Sequence, residues 1–347
     1  MAKNKRKRTL IIRFSSLGDV AMTIPVVYSV AKRYPDEEFV LLTKEAFQAV
    51  FINKPNNLVI ENPKKTVMAD LIRHPMLIVK QQLTDILGWR VKPAMTVVVV
   101  VVVDLHAVLR SWKLDLKFLL RGAKIAVIHK GKCAKRALTR RHNKQFKPLT
   151  SSIERYQQVF ERLGYDATID FKSLFPEKNP HEGTWIGIAP FAKHAGKIYP
   201  LEKMEEVIRE LSLLPQVKLF LFGGKNDCEK LEKWATLYEQ VQVVAGNLTF
   251  PEELELMNDL DVAVSMDSAN MHLASLVNTP VVSIWGATHP YAGFYGYNQN
   301  PDNAVQVDLP CRPCSVFGNK SCWRGDYACL KAICPEMIVK KLRQYIR

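Results

Sequence analysis

The chain has 347 residues, 48% of them apolar and 24% charged, the profile of a soluble globular protein of about two domains. Its longest uncharged apolar run is Met95–Val103, or 93–103 with the proline. That is far short of the roughly 20 residues a membrane helix needs. The basic N-terminus has no apolar segment behind it, so no secretory signal is expected, and seven cysteines then suit reduced thiols in the cytoplasm. The net charge of +15 is localised in Lys3, Lys5, Arg6, Lys7 and Arg8 and in residues 121–147, which hold ten Lys or Arg and no acid. Such a surface attracts a polyanion: nucleic acid, phosphorylated glycolipid or an anionic membrane face.

In chain order, Leu10–Arg13 reads as a strand and Val20–Arg33 as a helix. Glu38–Leu42 is a strand, and Lys44–Asn53 is helical in pattern. Pro75–Gly88, "PMLIVKQQLTDILG", is an amphipathic helix suited to a core or to a membrane surface. Valine fills every position from 97 to 103, as a parallel strand buried on both faces does. A helix over Ile153–Leu163 stops at Gly164 and a linker follows. The second half alternates strands (Trp185–Ala189, Val217–Phe222, Val241–Val244, Val262–Ser265, Val281–Trp285) with helices (Glu202–Leu213, Asp227–Leu237, Pro251–Met257, Ala269–Leu276). Both halves therefore read as doubly wound α/β domains, placed at 1–175 and 183–334. A terminal helix over Pro335–Ile346 is expected to fold back onto the first domain.

Open α/β sheets place their ligands where strands hand over to helices. Asp19 sits at such a junction, in "LIIRFSSLGDVAMTIP". There it can serve as a helix cap or as an active-site carboxylate. Asp104 and His106 follow the valine strand at another junction. No P-loop and no G-x-G-x-x-G is present, so neither a P-loop NTPase nor a dinucleotide dehydrogenase is indicated. In the second half, four strand ends carry small or polar residues suited to a nucleotide diphosphate. They are Lys193 and Lys197, Gly223 and Gly224, Asp267-Ser268-Ala269 with His272, and Gly286 with Thr288. Each also has a plain reading, as a capped helix or a solvated loop. Cys311-x2-Cys314 is followed by Cys322, Cys329 and Cys334. Four of these five could hold zinc tetrahedrally, but a second C-x2-C is missing. Free thiols packed in a loop are the preferred reading.

Together these residues resemble the family 9 glycosyltransferases, the ADP-heptose:lipopolysaccharide heptosyltransferases. The resemblance rests on "IIRFSSLGDVAMTIPVV", "VVVDLHAVLRS", "ERYQQVFERLG", the lysine before "IYP", and "SMDSANMHLASLVNTPVVSIWGAT". It implies a GT-B fold, two Rossmann-like domains facing across a cleft. It implies a metal-independent, inverting transfer of heptose from ADP-heptose, with no cofactor, to a phosphorylated, Kdo-bearing glycolipid at the cytoplasmic face of the inner membrane. Asp19 then matches the catalytic base and Lys197 the lysine on the donor phosphates. Asp267, Ser268, Ala269 and His272 match the donor junction; Lys193, Gly223, Gly224, Gly286 and Thr288 are further donor candidates. Ser15, Ser16, Gly18, Asp104 and His106 are acceptor candidates.

The chain departs from the family pattern twice. Ala192 and Lys193 stand where some members carry hydroxyls, and Lys225 where some carry an acid that reaches the ribose. Asp227 and Glu229 are candidate substitutes. These departures leave room for a related transferase with another nucleotide-sugar donor. A basic nucleic-acid-binding protein is the distant alternative. It is disfavoured because no recognised module is present and the cysteines lie far in sequence from the basic block.

Overall fold

The computed structural model describes residues 7–63 and 99–347, so the Pro75–Gly88 helix lies outside the described residues. The chain divides into two compact units. The first takes residues up to 129 together with 153–171, and the second takes 130–152 and 172–347.

The first unit is a parallel sheet of β1 (Arg8–Ile12), β2 (Glu38–Leu42), β3 (Leu58–Glu61), β4 (Val99–Asp104) and β5 (Lys124–Val127), in the order β3-β2-β1-β4-β5. Ile12, the last residue of β1, pairs with Leu42 on one side and Asp104 on the other. Three strand ends therefore share one edge. Val101, Val102 and Val103 are buried, as a central strand requires. The helical stretch after β1 is two helices, α1 (Leu17–Ala21) and α2 (Ile24–Arg33), where sequence periodicity suggested one. Pro25 is the cause: it has no N–H to carry the hydrogen-bond ladder across, and Thr23 closes the gap by donating its hydroxyl to Val20 O. Residues 45–50 form a 3-10 helix. Helix α3 (Leu109–Leu119) follows β4, and α4 (Lys132–Leu138) follows β5 but groups with the second unit. Helix α5 (Ser152–Glu161) leads back into the first.

The second unit is a six-stranded parallel sheet in the order β11-β10-β9-β6-β7-β8. Its strands are β6 (Thr184–Ala189), β7 (Val217–Leu221), β8 (Val241–Val243), β9 (Val262–Met266), β10 (Val281–Ile284) and β11 (Ala304–Val305). Helices α6 (Leu201–Ser212), α7 (Cys228–Leu237), α8 (Phe250–Asp259) and α9 (Ala269–Leu276) connect them, each within a few residues of its expected span. Ile186, Ile188, Leu219, Val264 and Ile284 meet Met204, Ile208 and Leu231 in the core. Helix α10 (Ala328–Lys331) precedes the terminal helix α11 (Pro335–Leu342). Helix α11 packs on α6 and buries Ile338, Val339 and Leu342 in this unit's core. Its apolar face is thus matched within the second unit, whereas the sequence reading sent it to the first.

Candidate active site

In the first unit, Ser16 is the N-cap of α1 and Asp19 is the third helical residue, so Asp19 closes a capping box instead of being the cap itself. Its Oδ2 accepts from the Ser16 hydroxyl at 2.8 Å and from the Ser16 backbone N–H at 3.3 Å. The same oxygen lies 2.8 Å from Nη2 of Arg13, whose side chain is almost wholly buried while that of Asp19 is 27% exposed. Arg13 is anchored by donating to Leu105 O at 2.6 Å. A carboxylate held by a buried guanidinium at the carboxyl edge of a parallel sheet is fixed in place and reachable from solvent.

Asp104 is different. Its side chain is fully buried. Oδ1 accepts the backbone N–H groups of His106 and Ala107 at 2.7 and 2.9 Å, and Oδ2 accepts the Ser111 hydroxyl at 2.7 Å. That carboxylate shapes its own loop, so Asp104 is placed as a structural group and not as an acceptor contact. His106 stays at the rim; its Nδ1 accepts the Phe14 N–H at 3.3 Å and its ring packs edge-on against Phe14. Ser15 is half-buried, Ser16 exposed, and Gly18 buried inside α1. A cavity of about 700 Å³ opens at the same edge, lined by Phe14, Lys44, Glu45, Asn62, Arg110 and Lys113 among others.

Burial and the neighbouring Asp104 carboxylate push the Asp115 carboxyl up to about 8. The folded state therefore keeps a proton that the unfolded chain releases near pH 4. Because the native state binds more protons across that window, stability falls as pH rises from about 4 to about 8. Thermal melts of Asp115→Asn across this range should lose this component of the slope. A pH profile identical to that of the parent protein would contradict the assignment.

In the second unit the donor candidates sort into two groups. Lys197 and Asp267 come together: Nζ of Lys197 lies 2.8 Å from Asp267 Oδ2, with both side chains largely buried. Ser268 is the N-cap residue of α9, with its hydroxyl 3.2 Å from that of Ser265, and Ala269 opens the helix. His272 is buried one turn along. The open first turn of α9 and a lysine ammonium beside it are the groups that favour a diphosphate. Lys193, by contrast, is exposed in its loop. Gly286 is a packing glycine, since an added Cβ would stand 2.5 Å from Leu330 and 2.7 Å from Gly196 O. Gly223 packs on Leu231 and Asp227, and the Gly224 N–H donates to Asp227 Oδ2 at 2.9 Å. Asp227 is thereby engaged as a turn cap, and Glu229 projects into solvent beside Lys233. Thr288 is fully buried.

A loop that sequence reasoning valued only for its cysteines proves to hold this site. Arg312 is buried and donates to the carbonyls of Trp285, Gly286, Thr288 and Val307 and to the Gln306 side chain. The N–H groups of Cys314 and Ser315 both reach Ala287 O. Gly318, at φ +71°, lies against Lys197; a Cβ there would sit 2.6 Å from Lys197 Cγ. All seven cysteines are free thiols. Among the described residues no group of three or more His, Cys, Asp or Glu side chains is arranged to hold a metal ion. The basic block joins this loop: Lys144 donates to Pro310 O and Arg312 O, and the Arg141 guanidinium lies 4.1 Å over Trp323. Separation in sequence between cysteines and basic residues is therefore no separation in space.

The sequence model described as Glycosyltransferase family 9 (heptosyltransferase) matches residues 117–321, more than half of the chain. Lipopolysaccharide heptosyltransferase 3 of Escherichia coli is 24% identical over 293 residues, 78% of this chain and 81% of that protein. A family 9 glycosyl transferase structure from Veillonella parvula matches with a TM-score of 0.67 at 19% identity, covering 99% of this chain and 98% of that one. The structure of E. coli heptosyltransferase WaaC with ADP matches with a TM-score of 0.62 at 16% identity, covering 97% and 99%. These likenesses bear out the fold class, GT-B built from two Rossmann-like α/β units. Among the described residues, no helix is long and apolar enough to cross a membrane.

Proposed function

Since the chain belongs to glycosyltransferase family 9, whose model spans most of its second unit, we propose that it moves heptose from ADP-heptose to the phosphorylated inner core of lipopolysaccharide. The acceptor is a Kdo-lipid A type glycolipid at the cytoplasmic face of the inner membrane. The observation that carries this reading is the Lys197–Asp267 pair at the α9 junction. In this reading the Lys197 ammonium meets the departing diphosphate of the donor. ADP seen with WaaC, and the heptosyltransferase named among the relatives, support the same donor.

The reaction is a single displacement. An acceptor hydroxyl attacks the anomeric carbon from the face opposite ADP, its proton passes to Asp19, and the glycosidic bond forms as the bond to the diphosphate breaks. Charge developing on the leaving phosphate is met by Lys197 and the first N–H groups of α9. Lysine thus does at the diphosphate what a divalent metal does in other transferases. A different nucleotide-sugar remains the second reading, favoured by Asp227, whose carboxylate caps Gly224 and is not free for a ribose.

Lys197→Ala removes a charge-assisted contact worth about 1.5–3 kcal/mol, so turnover should fall roughly 10–150-fold. The free protein should also melt lower, because Asp267 is left buried without its cation. ADP should raise the parent's melting temperature more than UDP or GDP, and the variant should lose most of that shift. Unchanged kinetics would move the role to Lys193, and a larger shift with UDP or GDP would overturn the adenine donor.

A further inference from the structure

Helix α3 buries Ser111, Leu114, Asp115 and Phe118 on the first unit. Its opposite face is apolar as well. Leu109 is 74% exposed, Trp112 54%, Leu116 59%, Leu119 57%, and Leu120, just past the helix end, 80%. These positions recur at i, i+3, i+7, i+10 and i+11, which places all five on one stripe of a 3.6-residue helix. Contiguous exposed apolar surface of this kind marks an interaction surface.

The neighbouring charges say what it meets. Arg110, Lys113, Lys117 and Arg121 run along one flank of the stripe, and the one acid of the helix, Asp115, faces the core. A second copy of this chain would set these cations against their own kind. An anionic lipid surface satisfies both parts: acyl chains take the leucines, headgroups take the cations, and the tryptophan sits at the boundary. We propose that α3 is an interfacial helix, lying in the plane of an anionic bilayer with Leu109, Trp112, Leu116 and Leu120 inserted. The net charge of +15 draws the protein to an anionic surface, and α3 holds it there. This gives a prediction that charge attraction alone does not make, namely that part of the binding survives high salt.

The proposal deepens the glycolipid-acceptor reading. Its test uses phospholipid vesicles without donor or acceptor, so either can fail while the other stands. The full chain is mixed with vesicles of phosphatidylcholine alone or with phosphatidylglycerol, at low and high salt. A parallel set carries bromine on the acyl chains to quench tryptophans that enter the bilayer. Expected are preference for the anionic vesicles, residual binding at high salt, and quenching that is lost in Trp112→Phe. Leu116→Ser/Leu120→Ser should weaken high-salt binding by about tenfold or more with an unchanged melting temperature, both side chains being exposed. Quenching unaltered by Trp112→Phe, binding unaltered by the double variant, or equal binding to neutral vesicles would each overturn the proposal.

Discussion

Asp19→Asn is expected to lose roughly 10²–10⁴-fold in turnover with the fold intact. The carboxylate has two structural duties, and the substitution treats them differently. Its bonds from Ser16 need only an acceptor, which the Asn amide oxygen provides. Its ion pair with Arg13 is lost as a charge pair, and because that guanidinium is buried the melting temperature should drop measurably, although the Asn amide oxygen can still accept from Arg13. A moderate drop in stability leaves the protein folded at assay temperature, while a base that cannot take a proton costs orders of magnitude. ADP release with ADP-heptose and a Kdo-lipid A acceptor, beside a thermal melt, separates the two. Near-normal turnover would reduce Asp19 to the closing member of a capping box. The next base is then His106, at the same sheet edge. Asp104 is no longer an alternative, since its carboxylate is buried and occupied by His106 N–H, Ala107 N–H and Ser111.

What was legible in the sequence was whatever depends on near neighbours along the chain. Alternating apolar runs and helical periodicities located every strand of the second unit except the two-residue β11, and the valine run located β4. The strand-to-helix junctions carrying Asp19, Lys197 and Asp267 followed from the same pattern. Pro25 stood in plain view, yet the apolar spacing through it outweighed it. Helix α3 carries apolar residues on its core face and on its exposed face, so no single periodicity marks which side is the core. Asp104 looked like a site residue because it ends a strand; only its three hydrogen bonds show that the carboxylate turns inward. Glycines were the least legible. A glycine at a strand end signals close approach but not by what, and at Gly286 the partners are Leu330 and the Gly196 backbone. The partners of Arg312 are carbonyls about 5 to 27 positions away, and carbonyls leave no trace in side-chain patterns.

Arg312→Ala is expected to destabilise the second unit by at least about 3 kcal/mol, because it strips a donor from four carbonyls and one amide at a buried position. For a unit of this size that corresponds to a melting temperature roughly 6–12 °C lower. Lysine should not restore it, since one ammonium cannot reproduce the planar fork that reaches Trp285, Gly286, Thr288 and Val307 together. The consequence for the site runs through the backbone. Arg312 fixes the loop that returns Cys314 and Ser315 to Ala287, and this loop sets Gly318 against the stem of Lys197. If the loop loosens, Lys197 loses the wall that aims it toward the α9 junction. ADP should then bind several-fold more weakly even well below the melting transition. Calorimetric titration of ADP against Arg312→Ala and Arg312→Lys, beside their melts, tests both statements. Parent-like melting would mean that the carbonyls find other donors. Lower melting with undiminished ADP binding would mean that Lys197 is held by Asp267 alone.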